Sequence, residues 1–324
     1  MIDLHNLSAI DIETINNCNA KCPLCLRTAN LKTNDALNWS EIIKQIPNYV
    51  WQNVKEINLN GTTGDNLMHP GIYEIVQWLT THSPGKVSIH TNGSIRDTVW
   101  WNKFGKLLSS TNHCVVFALD GLEDTHYLYR IDTSWKKIIE NAKAFIAGGG
   151  NAEWQFILFD HNKHQVDKCR ELAREFGFSK FFTIYQDRFD DTHKIETEHG
   201  IIKRYDPKDL TSEVIVKENS NNFKKSKGTK IECRSKKINW VSIYADGTVW
   251  PCCWLMGWHV VKDRGIHHSV VNHHLTKILK IDFSEINLYN KNLEDIINSE
   301  LWQKRFPESF DSTPNLICKQ QCSK

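Results

Sequence analysis

Three cysteines, Cys18, Cys22 and Cys25, stand within eight residues in Cys-Asn-Ala-Lys-Cys-Pro-Leu-Cys. Thiolates at that density bind an iron–sulfur cluster or zinc. No fourth cysteine and no histidine completes the set nearby. A four-iron cluster held this way keeps one iron without a protein ligand, and such an iron can chelate the amino and carboxylate groups of a small molecule. A zinc knuckle completed by a distant residue is the other arrangement, although structural zinc sites favour paired Cys-x2-Cys units.

A second set lies far along the chain. Cys233, Gly247 and Cys252 follow the pattern C-x13-G-x4-C, and Cys318-x3-Cys322 comes later. Four cysteines close a ligand shell, as in a cluster used for electron transfer or architecture; a zinc ribbon on a hairpin uses the same four ligands. Cys253 is spare: it can replace Cys252 as ligand, donate a hydrogen atom to a substrate radical, or pack as a buried thiol. Cys114 opens the apolar run CVVFAL and Cys169 sits in a helical pattern, so both read as structural.

Composition narrows the context. The 324 residues hold 40 Lys and Arg against 38 Asp and Glu, a net charge of +2, which makes no electrostatic case for nucleic acid. No apolar run is long enough to span a membrane, and the opening MIDLHNLSAIDIE lacks the basic and apolar regions of a signal peptide. The expectation is a cytosolic protein with no membrane partner, where ten cysteines are kept reduced and serve metal or redox chemistry.

The elements that must position these residues follow from periodicity. β-branched runs at 8–15, 54–60, 86–91, 114–119, 152–158 and 180–185 predict six strands, and segments of helical period at 39–50, 71–82, 97–108, 134–147 and 164–177 separate them. Such alternation implies a parallel sheet with right-handed crossovers, open or curled into a barrel, with function at the strands' carboxyl ends. Polar, lysine-rich stretches at 187–200 and 217–230 read as connecting segments. Beyond them, 238–250 predicts a hairpin turning at Ala-Asp-Gly-Thr, and 292–306 an amphipathic helix. The histidine-rich run 259–274 has irregular spacing and reads as a solvated loop rather than a zinc site.

The C-x3-C-x2-C loop at the end of a first strand, inside a six-stranded βα array, resembles the radical S-adenosylmethionine (radical SAM) superfamily over residues 8–185. That resemblance implies an α/β fold, a partial (β/α)6 TIM-like barrel over 1–190, a connecting segment over 191–230, and a small C-terminal α+β auxiliary iron–sulfur domain over 231–324. It also implies a [4Fe-4S] cluster on Cys18, Cys22 and Cys25, and reductive cleavage of SAM to a 5′-deoxyadenosyl radical that abstracts substrate hydrogen. Gly61-Thr-Thr-Gly64-Asp65 resembles the family's Gly-Gly-Glu segment against the amino group of SAM, with Asp65 in place of glutamate. Thr91-Asn92-Gly93 resembles a turn near the ribose. Ala118-Leu-Asp120-Gly121 resembles Ser-x-Asp-Gly, with Arg130 placed like the arginine that pairs with SAM's carboxylate. Leu24 would offer apolar contact to adenine. Ordinary turns and, for Arg130, a surface ion pair are the plain alternatives.

The C-terminal set resembles the Twitch or shortened SPASM domain, which implies one auxiliary [4Fe-4S] cluster on Cys233, Cys252, Cys318 and Cys322. The reading of function is a radical SAM enzyme acting on a ribosomally made peptide by crosslink, epimerisation or excision, with Trp240, Trp250, Trp254 and Trp258 lining a groove or packing in the core. The rivals are a radical SAM dehydrogenase or isomerase of a small molecule and a zinc-binding module without catalysis. A flavodoxin or ferredoxin-type reductant is implied. The cysteine loop begins only eighteen residues in, so a leader-recognition function is expected from a separate protein. Asp120, Asp187 and several histidines are candidates for a general base, and spacing selects none of them.

Overall fold

The computed structural model describes residues 2–29, 35–109, 112–185, 194–197, 199–203, 230–260 and 270–323. Strands among them are β1 (Ala9–Ile12), β2 (Glu56–Leu59), β3 (Lys86–Thr91), β4 (Cys114–Ala118), β5 (Ala152–Leu158), β6 (Lys180–Tyr185), β7 (Lys194–Thr197), β8 (Gly200–Lys203), β9 (Trp240–Ile243) and β10 (Val249–Trp250). The first six lie inside the runs that alternation predicts. The chain divides into two compact units: Met1–Asn17, Ala29–Val87 and Phe223–Lys324 form one, Cys18–Thr28 and Ser88–Asn222 the other.

In the first unit β1 is flanked by parallel partners on both edges, with Ala9 opposite Glu56 of β2 and opposite Trp240 of β9. β10 returns antiparallel to β9, closing the predicted hairpin. Period-two alternation sorts β1: Ile10 and Ile12 are fully buried on one face, whereas Asp11 looks to the other. Helices α1 (Trp39–Ile42), α2 (Asn48–Asn53) and α3 (Ile72–His82) bury Ile42, Val50, Trp51, Ile75, Val76 and Leu79. Trp51 meets Trp39 and Trp78 edge to face, a geometry the ring quadrupoles favour.

In the second unit β3 through Ser88–Thr91, β4, β5 and β6 run parallel, Ser88 opposite Cys114 and Glu153 opposite Lys180. Helices α4 (Thr98–Leu108), α5 (Glu123–Tyr129), α6 (Trp135–Ala147) and α7 (Val166–Glu175) make the crossovers. Asp97 caps α4 by accepting from Trp100 N–H at 2.8 Å, and Ser134 caps α6 through Lys137 N–H at 3.3 Å. α4 comes so close to α6 that a Cβ on Gly105 would lie 2.1 Å from the Phe145 carbonyl oxygen. Every residue of β4 is buried, Cys114 included, and Cys169 is buried on α7.

Two readings need adjustment. Lys194–Thr197 and Gly200–Lys203 pair antiparallel, β7 with β8, inside the stretch read as connecting. The helix predicted over 292–306 breaks after Leu293–Ile297 and resumes at Leu301; at the break Ser299 Oγ and Gln303 Nε2 donate to the Ile296 and Ile297 carbonyls, each at 2.7 Å. Of the two placements open to the tryptophans, Trp250 and Trp258 take the core, at 0% and 7% exposure, while Trp240 and Trp254 are half-buried. Asp187 and residues 261–269 of the histidine-rich run lie outside the described residues.

Asp11 is 4% exposed on the polar face of β1, with Asn58 donating to its Oδ1 at 3.1 Å. Burial raises its carboxyl to about 7, against partial relief from the Asn58, Asn60 and Trp240 side chains. The unfolded chain releases this proton near 4 and the native state near 7, so between those values the native state binds more protons and stability falls as pH rises. Asp11→Asn, which stays neutral, should flatten that part of the stability profile and raise the urea midpoint at pH 8. An unchanged slope in denaturation measured from pH 4 to 8 would show the carboxyl to be ionised in the fold.

Candidate active site

The cysteine loop belongs to the second unit. Cys25 N–H closes a tight turn on the Cys22 carbonyl at 3.0 Å, with Pro23 at the position where its fixed φ is favoured. The loop is also tied by Lys21 N–H to the Ile131 carbonyl at 3.0 Å. Ala20, Cys22 and Leu24 turn inward and pack with Tyr129, Ile157, Phe159 and Ile202, while Cys18 and Cys25 lie against the same cluster partly buried. Leu24 is therefore an apolar wall residue beside the thiols.

Nitrogen donors approach two of the sulfurs. Ala20 N–H and the Asn92 amide donate to Cys18 Sγ at 3.4 and 3.6 Å, and Arg130 Nη1 donates to Cys22 Sγ at 3.7 Å. Asn92 belongs to the turn after β3, where Gly93 at φ +70° adopts the left-handed region and a Cβ would meet the Phe117 ring at 2.7 Å. Thr91 Oγ1 accepts from Gly93 N–H at 2.9 Å, and Asn92 Oδ1 from Ser94 N–H at 2.9 Å, so these side chains hold the turn itself. Asn92 Nδ2 also donates to Asn19 Oδ1 at 3.0 Å, which fastens the turn to the cysteine loop.

Asp120, at the end of β4, is fully buried. Its Oδ2 takes a 2.6 Å bond from Arg130 Nε, and its Oδ1 accepts from Ile157 N–H at 2.6 Å. The Arg130 side chain is 13% exposed, so this is a buried pair and not the surface pair. His126 braces both partners. Burial and then the Arg130 charge push its imidazole down to about 3, so the ring is neutral. Its Nδ1 accepts from Asp120 N–H at 3.2 Å, which leaves Nε2 to donate to Thr133 Oγ1 at 3.0 Å. Thr133 in turn donates to the Arg130 carbonyl at 2.6 Å.

The Gly61–Asp65 segment belongs to the first unit. A Cβ on Gly64 would lie 2.0 Å from the Ile15 carbonyl oxygen, so glycine is required by the close approach of two backbones. Asp65 caps the short helix Asn66–Met68 by accepting from Leu67 N–H at 3.0 Å. The carboxylate at the centre of this segment is Glu13, 1% exposed, whose Oε1 accepts from Thr63 N–H at 2.6 Å, Thr63 Oγ1 at 2.7 Å and Gly64 N–H at 2.7 Å. Tyr244 hydroxyl completes the network, 3.0 Å from Thr63 Oγ1. Sequence reasoning passed over Glu13. The available signal was polar Asp11 and Glu13 alternating with Ile10 and Ile12.

The second cysteine set is built within the first unit. Cys233 and Cys322 meet because Ile231 bridges antiparallel to Ser323 and Glu232 N–H donates to the Cys322 carbonyl at 2.8 Å. Cys318 and Cys322 occupy one helix, Leu316–Cys322, where a spacing of four residues puts both on one face. Burial pushes Cys252 up to about 12, and Cys233 and Cys322 add to the effect; burial likewise raises Cys318, with Cys252, Cys233 and Cys322 adding in that order. Cys252, Cys318 and Cys322, whose ionisation burial and the neighbouring thiols disfavour, suit a bound cation or cluster, which would reverse the sign of that interaction. Cys253 begins the adjoining helix Cys253–Val260. Among the described residues no three Cys, His, Asp or Glu side chains surround one point as ligands of a single ion do. In an iron–sulfur cluster each cysteine binds its own iron, so both sets fit that group.

No curated protein sequence matches the chain. Residues 12–173 match the radical SAM superfamily, and residues 233–323 match SPASM, an iron–sulfur cluster-binding domain. Among solved structures the chain is similar to Streptococcus suis SuiB bound to S-adenosylmethionine, with TM-score 0.58 and 15% identity over 98% of this chain and 72% of that one. It is similar to SuiB bound to precursor peptide SuiA, with TM-score 0.59 and 15% identity over 98% and 71%. It is also similar to anSMEcpe with bound AdoMet, with TM-score 0.57 and 14% identity over 94% and 81%. At these identities the likeness is one of fold, an unclosed, mostly parallel sheet with helices of the partial-barrel type. The chain belongs to the radical SAM superfamily, enzymes that use S-adenosylmethionine and a [4Fe-4S] cluster, and it carries a SPASM iron–sulfur domain over residues 233–323.

Proposed function

We propose that this protein is a radical SAM enzyme that modifies a ribosomally made peptide. The observation that carries the reading is the cysteine loop, with three thiols on one apolar cluster and N–H donors directed at two of the sulfurs. Cys18, Cys22 and Cys25 would hold the cluster, which would pass an electron to bound SAM and so supply the hydrogen-abstracting radical chemistry of the superfamily. Arg130, Asp120, Asn92 and Thr91 fix the polar wall beside the thiols, Leu24 the apolar wall, and Gly64 and Asp65 the segment shaped round Glu13. Cys233, Cys252, Cys318 and Cys322 hold one auxiliary [4Fe-4S] cluster, and Cys253 is positioned beside Cys252 as a hydrogen-atom donor. The division at 1–190, 191–230 and 231–324 belongs to the same proposal.

Support for a peptide comes from SuiB bound to precursor peptide SuiA and from anSMEcpe bound to AdoMet and Cp18Cys peptide. A flavodoxin or ferredoxin-type protein supplies the electron. No helix among the described residues is long and apolar enough to cross a membrane, and we assign the enzyme to the cytosol. Anaerobic incubation with SAM, dithionite and the short peptide encoded beside the gene should yield 5′-deoxyadenosine and a peptide altered in mass or, for epimerisation, in the configuration of one residue by chiral amino-acid analysis. 5′-Deoxyadenosine with neither a mass change nor an inverted residue in any neighbouring peptide would refute the peptide substrate and leave the radical chemistry standing.

A further inference from the structure

We propose that Arg130, braced by Asp120, sets the reduction potential of the cluster held by Cys22, by donating a charged hydrogen bond to that residue's sulfur. The inference rests on the assignment of Cys22 as a cluster ligand. Arg130 Nη1 stands 3.7 Å from Cys22 Sγ, and its Nε is pinned to Asp120 Oδ2 at 2.6 Å. A guanidinium is planar, so fixing Nε on a carboxylate also fixes where Nη1 points. Asp120 cannot swing, because its other oxygen takes the Ile157 N–H at 2.6 Å and its side chain is fully buried. The Arg130 backbone is held in its turn by the His126–Thr133 relay, ending in a 2.6 Å bond to the Arg130 carbonyl.

The donors on Cys18, Ala20 N–H and the Asn92 amide, are neutral. Cys22 alone among these contacts meets a full positive charge, in surroundings where water screens little. An N–H donor and a cation at a ligand sulfur stabilise the form of the cluster that carries the extra electron, which raises its potential. Asp120 lies behind the guanidinium and works in the opposite sense. The two residues therefore have opposite signs of effect, whereas a purely structural role would move both variants in the same direction.

The test is a redox titration of reconstituted full-length protein without SAM. It follows the low-temperature resonance of the reduced cluster whose spectrum shifts when SAM is later added, which singles it out from the auxiliary cluster. Arg130→Gln should lower the ratio of reduced to oxidised cluster about tenfold at a fixed potential, equivalent to about 59 mV for a one-electron couple. Asp120→Asn should raise that ratio. Arg130→Lys keeps the charge without the fork and should fall between native and Arg130→Gln; it also serves as the decisive variant if the glutamine protein loses iron. Variants are compared at equal iron content. Displacement of Arg130→Gln and Asp120→Asn in the same direction, or of neither, would overturn the proposal. Absence of any SAM-responsive resonance in the native protein would instead remove the cluster assignment itself.

Discussion

Replacing Cys18, Cys22 and Cys25 together by alanine abolishes 5′-deoxyadenosine formation from SAM under anaerobic, reducing conditions. The expectation rests on coordination number: with the three thiolates gone the loop has no sulfur to bind iron, and Asn92 and Arg130 face the sulfurs with N–H groups, which have no lone pair to offer a metal. The fold should survive. Only Cys22 is buried among the three, and exchanging its sulfur for hydrogen leaves a small cavity costing about 1–2 kcal/mol. Far-ultraviolet circular dichroism and the melting transition separate loss of the cluster from loss of the protein. Cleavage that persists in a folded, triply substituted protein would refute the radical mechanism.

Cys318→Ala with Cys322→Ala should remove about half of the bound iron, since two four-iron clusters then become one. Both cysteines lie on the Leu316–Cys322 helix, so one double substitution withdraws half the ligands of the second set while the helix, capped by Asn315 at Ile317 N–H, keeps its backbone bonds. Uncoupled SAM cleavage should remain, because the N-terminal thiols belong to a different unit. Iron analysis and the thiolate-to-iron absorption measure the result. An iron content equal to native would eliminate the auxiliary cluster, and zinc in its place would turn the domain into a structural ribbon.

Local signals carried much of this molecule. The run at 114–119 became a strand because its apolar residues are continuous, and those at 86–91 and 152–158 because β-branched and aromatic residues recur there at alternate positions, while the cysteine sets stood out as spacings that suit an iron–sulfur cluster or zinc. The missing parts depended on partners distant in sequence. Glu13 is recognised by Thr63 and Gly64, fifty residues on, and by a hydroxyl network reaching Tyr244. His126 matters because β4 and α5 bring Asp120 and Thr133 to its two nitrogens. Asn92, expected at a turn, also grips the cysteine loop. A single sequence displays residue types and intervals; it does not display which polar groups burial will force together.

The parallel pairing of β9 with β1 changes what a shortened version of this protein would be. Removal of the C-terminal segment would not release a self-sufficient barrel, because it would strip the neighbour from one side of β1 and bare the backbone groups of a strand rich in isoleucine. Such an uncovered edge is a template for another chain. Truncation should therefore show itself first as self-association and inclusion bodies.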